Sequence, residues 1–317
     1  MSISLSSMGR RGLFSLVGAG MLWGTGGLLG TLLSRATGLS PIAVATFRLA
    51  VGGLLLVAVC AAARQPWPRG RSAWRRIGAV AGLAAIFQAS YFAAVAASSL
   101  GVATLITIGA SPVMVAVLEH CTGRHALDRH RAVTIGLALT GLTMLVGTPS
   151  GNASVAATFG GAALALLAAA AFATVTVISA NPVAGLDTMT STGIGFTGGA
   201  LLLAPLAASI STGLVFELRP SSVALLLALG LAPTAVAYTL YFRGLPQVGP
   251  GTAAVLALLE PLTGTALAAV VLGERLTPSG LAGAALLIAA LLLAGRRSGV
   301  ETARAEVAVN GRSHTPD

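Results

Sequence analysis

Ten apolar stretches are spaced along the chain, at roughly 13–33, 41–63, 77–98, 102–121, 132–148, 158–180, 189–210, 222–242, 250–271 and 280–295. Most approach the ~20 residues a helix needs to cross ~30 Å of hydrocarbon. The connections between them are short, so no soluble domain is inserted. In lipid every backbone polar group must find its partner inside the protein, which leaves helices as the solution for such segments. Only 9% of the 317 residues are charged, against ~25% in soluble domains. The pattern predicts an all-α integral membrane protein with ten transmembrane helices, and a lipid bilayer as its surroundings. The polar stretch 296–317 is predicted to be a disordered tail.

The net charge of +10 raises the question of nucleic acid. All 19 basic residues are arginine, however, and they gather between the apolar runs. No basic face, aromatic platform or binding motif accompanies them, so the sequence points to no nucleic-acid partner. With the N-terminus in the cytoplasm, 15 arginines fall in inside segments and 3 outside, while Arg48 lies within the second span. Cytoplasmic loops carry such an excess. The expectation is a multi-pass inner-membrane protein with both termini, and the 296–317 tail, in the cytoplasm. The run Leu13–Leu33 is too long for the apolar part of a signal peptide and reads as a retained first span.

The chain repeats itself. Pro112 and Pro261 are 149 positions apart, as are Trp23 and Phe172, Phe47 and Phe196, and Phe92 and Tyr241. The spans divide five and five, giving repeats at 12–148 and 158–295. Five spans is an odd number, so the second repeat enters the membrane inverted. The Arg-rich loop 123–131 then lies inside and its counterpart 273–279 outside. Inverted repeats recur in secondary transporters, with the substrate site near the midplane between the halves.

Polar residues inside the spans carry the candidate function. Glu260 and the helix-breaking Pro261 are neighbours in an apolar run. Glu260 lies ~18 Å along the helix from Val248, and Arg48 ~10 Å from Pro41, which puts both at nearly the same depth. The expectation is electrostatic coupling between them at a cavity between the repeats. Whether the two serve the fold or the cargo stays open at this point. Gln88 and Tyr91 share one helix face. With Trp23, Tyr238 and Tyr241 they are the further candidates for a cavity wall. Pro112 and Pro261 are candidate hinges in equivalent positions. Glycines in WGTGG beside Trp23 serve packing or line a path. Glu119 is placed near the cytoplasmic edge, within snorkelling reach.

Other chemistry finds no support. Cys60 and Cys121 show no disulfide or metal spacing. His120, His125 and His130 do not share a helix face, so they read as loop residues and no metal site is expected. There is no nucleophile–base pair or phosphate loop. No catalytic residue and no cofactor is expected, and the chain is not read as an enzyme.

The run LLEPLTGTALAAVVLGERLTPSGLAGAALLIAALLLAG, at 258–295, resembles the last two helices of an EamA-type repeat of the drug/metabolite transporter superfamily. MLWGTGGLLG at 21–30, SPIAVATFRLAVGGLLL at 40–56 and IGASPVMVAVLEHCTGR at 108–124 resemble the same unit in the first half. The likeness covers about 12–295 and implies ten helices in two inverted five-helix repeats. It also implies alternating-access movement of small metabolites, amino acids among them, without an ATPase domain. The halves differ: Ser111-Pro112 stands where the second repeat has Glu260-Pro261, and Gly123-Arg124-His125-Ala126 where it has Gly273-Glu274-Arg275-Leu276. One arginine in the membrane favours a neutral or zwitterionic metabolite over a phosphorylated one. Export is the expected direction, with protons as a candidate coupling ion. Import of drugs or other metabolites, or a non-transporting sensor or scaffold, is the alternative. The oligomeric state is not legible.

Overall fold

The computed structural model describes residues 5–98, 100–123, 128–146, 155–210, 213–272 and 277–312. His125 and the Gly273–Leu276 motif lie outside them. The first repeat holds α1 (Leu5–Thr37), α2 (Pro41–Ala62), α3 (Arg71–Ala97), α4 (Leu100–Cys121) and α5 (Arg129–Val146). Then follow α6 (Val155–Ser179) and α7 (Thr188–Ala208). The eighth expected span is a composite of α8 (Pro220–Gly230), a π-helical turn Leu231–Val236 and α9 (Ala237–Val248). The ninth is α10 (Pro250–Leu256) followed by α11 (Leu259–Leu272), and the last is α12 (Pro278–Arg312). No strand occurs among the described residues.

Nine membrane-crossing units among the described residues are long and apolar enough to span a bilayer. The exception to the expected ten is α5. It has 18 residues and opens on Arg129, His130 and Arg131, which shortens its apolar part. Gly141 of α5 and Gly283 of α12 still bring these two helices into backbone contact: a Cβ on either would stand 2.5–2.8 Å from the other's backbone. At the other end of α12 the helix continues to Arg312, through most of the polar segment for which the sequence predicts a disordered tail.

Several helix starts are written locally. Ser40 caps α2 by accepting from the Ala43 amide, with Pro41 in the first turn. Asp187 caps α7 by accepting from Met189 and Thr190. Pro250 opens α10 after Gly249, whose φ of 90° is open to glycine.

Packing respects the repeat. Helix α1 packs on α9 and α11, and its counterpart α6 packs on α3 and α4. Helix α2 packs on its own counterpart α7, and α5 on α12. Exchanging the halves therefore maps one set of contacts onto the other. Small residues allow these crossings. A Cβ on Gly24 would meet Thr263 Cβ at 2.6 Å and the Glu260 carbonyl at 2.9 Å, and one on Gly20 would meet the Leu256 carbonyl at 2.8 Å. A Cβ on Gly195 of α7 would meet Val80 Cγ1 of α3 at 2.7 Å, and one on Gly199 the Ala81 carbonyl at 3.1 Å.

The equivalent prolines Pro112 and Pro261 stand one in each repeat. Proline has no N–H and its ring crowds the carbonyl four residues back. For Pro261 that carbonyl belongs to Ala257, and the helix breaks there, between α10 and α11. The Glu260 amide bonds the Ala257 carbonyl instead, at 3.0 Å. Pro112, by contrast, lies inside an unbroken α4. The two prolines are equivalent in sequence and unequal in effect.

Candidate functional site

A cavity of about 480 Å³ sits where the halves meet. That is an ordinary size for a small-molecule site. It reaches the surface beside the α1–α2 turn, where Thr31, Arg35 and Pro41 are exposed. Its wall joins residues related by the repeat. Trp23 and Phe172 both line it, with ring centroids 6.0 Å apart, and so do Ser111 and Glu260.

Among the sequence candidates, Trp23, Arg48, Gln88, Tyr91, Tyr238 and Glu260 all line this cavity. Tyr241 does not. It is 1% exposed and stands behind the wall, its ring 4.9 Å from Trp23 and its hydroxyl 3.0 Å from Thr176 Oγ1. It supports Trp23 rather than facing the cavity. Neither Pro112 nor Pro261 lines it. Of the glycines beside Trp23, Gly26 and Gly27 do.

Arg48 and Glu260 share the cavity without touching. Among the described residues the ion pairs are Arg131–Glu119 and Arg219–Glu217, so the expected coupling of Arg48 and Glu260 involves no direct pair. The Glu260 side chain makes no hydrogen bond among the described residues. Its position in the first turn of α11 suits a carboxylate, because helix N-termini favour negative charge.

Arg48 is held by a partner that sequence reasoning missed. Pro233 deprives the Leu229 carbonyl of its helical donor, and Thr234 Oγ1 donates to that carbonyl at 2.8 Å. Thr234 Oγ1 in turn accepts from Arg48 Nε at 3.1 Å. The π-helical turn thus aims a hydroxyl at the arginine from 186 residues away. The Pro233-Thr234 pair was the available signal, but its value depends on α2 lying alongside. Among the described residues Nη1 and Nη2 of Arg48 make no hydrogen bond.

The remaining polar groups have defined settings. Tyr91 exchanges a 2.8 Å hydrogen bond with Thr104 Oγ1. Ser111 Oγ donates to the Thr107 carbonyl at 2.7 Å. The Gln88 amide has no hydrogen-bond partner among the described residues, nor does the buried Trp23 Nε1.

Away from the α1–α2 turn, the cavity ends on aromatic rings. Trp23 lies 4.9 Å from Tyr238 and from Tyr241, and Tyr238 packs on Phe242 at 5.9 Å. Beyond them is Glu119. It does not snorkel: it is fully buried and accepts from Arg131 Nη1 at 2.9 Å. A Cβ on Gly251, in the first turn of α10, would stand 3.0 Å from Glu119 Oε2. This ion pair of the first repeat is therefore seated against the second. No group of three metal-ligating side chains occurs among the described residues.

Comparison with known proteins identifies this architecture. The EamA-like transporter family model matches twice, at residues 10–147 and 159–296. The chain belongs to the EamA-like transporter family. This EamA-like chain is also 31% identical over 281 residues to "Uncharacterized transporter YwfM" of Bacillus subtilis (strain 168), covering 89% of this chain and 92% of that protein. A solved structure described only as "Crystal structure of protein" superposes with a TM-score of 0.75 at 20% identity, covering 92% of this chain and 98% of that one. That likeness concerns the fold. As an EamA-like transporter the chain is a multi-pass membrane protein that moves a small-molecule substrate through the bilayer.

Proposed function

We propose that this EamA-like transporter exports a small zwitterionic metabolite of amino-acid type by alternating access. The observation that carries the reading is the pair of unbridged charges in one cavity. The Glu260 carboxylate is free to accept a substrate ammonium. The outer nitrogens of Arg48 are free to donate to a substrate carboxylate, while Nε is committed to Thr234. A guanidinium matches a carboxylate fork to fork. Lone charges in a low-dielectric cavity are costly, and a ligand carrying both complements relieves that cost. Trp23, Phe172 and Tyr238 supply apolar contact, and Gln88 a polar one.

The arginine distribution supports a cytoplasmic N- and C-terminus in the inner membrane. The α1–α2 turn is then periplasmic, and the cavity faces outward. Ten spans in two inverted repeats, with α5 as the short fifth, fit this orientation. Opening toward the cytoplasm then requires the aromatic floor and the Glu119–Arg131 seat to part. The break at Pro261 is the hinge this reading favours, with Pro112 as its weaker counterpart. Glu260 is the residue placed to exchange a proton for substrate.

The test is a liposome screen of labelled amino acids, amines and organic acids, with and without a pH gradient. Uptake of a zwitterion, lost in Glu260→Gln and in Arg48→Gln, is the expected result. Movement restricted to singly charged compounds overturns the zwitterion assignment. Gradient-driven transport that survives Glu260→Gln removes the proton role.

A further inference from the structure

The connection between α2 and α3 carries charge that the transport cavity does not use. The first acidic residue of the chain is Glu119, so Arg64, Arg69, Arg71, Arg75 and Arg76 have no acid nearby in sequence. None enters an ion pair among the described residues. Arg71, Trp74 and Arg75 are all exposed, and their spacing puts them on one face of the first turns of α3. Ala73, Ile77 and Val80 form the buried face. Like charges four residues apart repel each other on a helix. Among the described residues no ion pair offsets this repulsion.

The segment is also fixed. The Ala63 and Gln65 amides fold back onto the Val59 and Cys60 carbonyls at 2.9 and 3.0 Å. Arg76 Nη1 donates to the Asn181 carbonyl, 3.1 Å away in the α6–α7 turn. A Cβ on Gly185 of the same turn would lie 3.5 Å from the Arg69 carbonyl. Trp67 is 57% exposed and Trp74 52%, one on each side of Arg69 and Arg71. Exposed tryptophans at a span end mark the level of the lipid headgroups.

We infer that the α3 face formed by Arg71, Trp74 and Arg75, with Arg69 beside it, binds the phosphate of an anionic phospholipid. The guanidiniums donate to the phosphate oxygens and the Trp74 ring rests on the glycerol and upper acyl region. The bilayer supplies anionic partners for guanidiniums that make no ion pair among the described residues.

The experiment uses the full-length protein in detergent, delipidated and then titrated with phosphatidylglycerol or phosphatidylcholine, with bound lipid read by native mass spectrometry. Phosphatidylglycerol should be retained over phosphatidylcholine. R71Q/R75Q should weaken that retention roughly thirtyfold, at about a kilocalorie per mole for each arginine. R71K/R75K should retain most of the binding, and R10Q/R11Q, with the same charge loss, should retain it too. Equal retention of the two lipids overturns the inference, and so does equal loss in the two glutamine pairs. Displacement of phosphatidylglycerol by millimolar inorganic phosphate reassigns the site to a free anion and overturns it as well. Transport is not part of the readout, so failure here leaves the carrier reading untouched.

Discussion

Arg48 Nε donates to Thr234 Oγ1 at 3.1 Å, and that hydroxyl donates to the Leu229 carbonyl that Pro233 leaves open. A single irregular turn of the eighth span thus fixes the one arginine of the second. Thr234→Val keeps the shape and removes the acceptor. A hydrogen bond to a charged group contributes about 1.5–3 kcal/mol. Once a substrate is identified, its Kd should rise by roughly tenfold or more. An unchanged Kd would show that Arg48 needs no anchor.

Arg48 and Glu260 face one cavity without an ion pair. Stability effects of Arg48→Ala and Glu260→Ala should therefore couple only weakly, by less than about 1 kcal/mol, in a double-mutant cycle, since the two charges interact across the cavity without contact. Substrate binding should be lost in each single variant. Thermal unfolding with and without substrate checks both halves. A large coupling in the substrate-free protein would mean that the charges serve the fold.

Glu119 and Arg131 give the opposite expectation. Both lie largely out of solvent, and Glu119 Oε1 has no partner among the described residues. Removing one member leaves the other uncompensated, which costs about 3 kcal/mol. Glu119→Ala should lower the Tm more than Glu119→Ala/Arg131→Ala does. The same single variant should make a cysteine placed at Ala257 more reactive toward a thiol reagent added from the α10 side, in a background lacking Cys60 and Cys121. Unchanged reactivity would separate the pair from gating.

The glycines of α1 are not equivalent. Gly24 lies against the α11 backbone, whereas Gly27 has nothing within 4 Å of a built Cβ. Gly24→Ala should destabilise by about 1–3 kcal/mol through overpacking. Gly27→Ala should be neutral or slightly stabilising, since alanine is the better helix former. Unfolding in detergent distinguishes them.

The sequence by itself determined the helical membrane architecture, because apolar runs of spanning length admit little else once backbone groups must be satisfied in lipid. It also determined the two-repeat plan, since the 149-residue offset survives in large residues such as Trp23 and Phe172. Six of the seven cavity candidates were legible for one reason: polar and aromatic side chains in mid-span need a protein or aqueous surface. Tyr241 was misjudged because periodicity reports which face of a helix is buried, not whether that face meets a void or a neighbour. The shortness of α5 shows how basic residues at a helix start erode an apolar run. Only the tertiary structure decided which groups meet. The Arg48–Thr234 bond joins residues 186 positions apart and depends on how two helices cross. The break beside Glu260, absent at Pro112, depends on whether neighbouring helices hold a proline-bearing span together. Those outcomes are set by packing between helices, and single-chain periodicity carries no record of it.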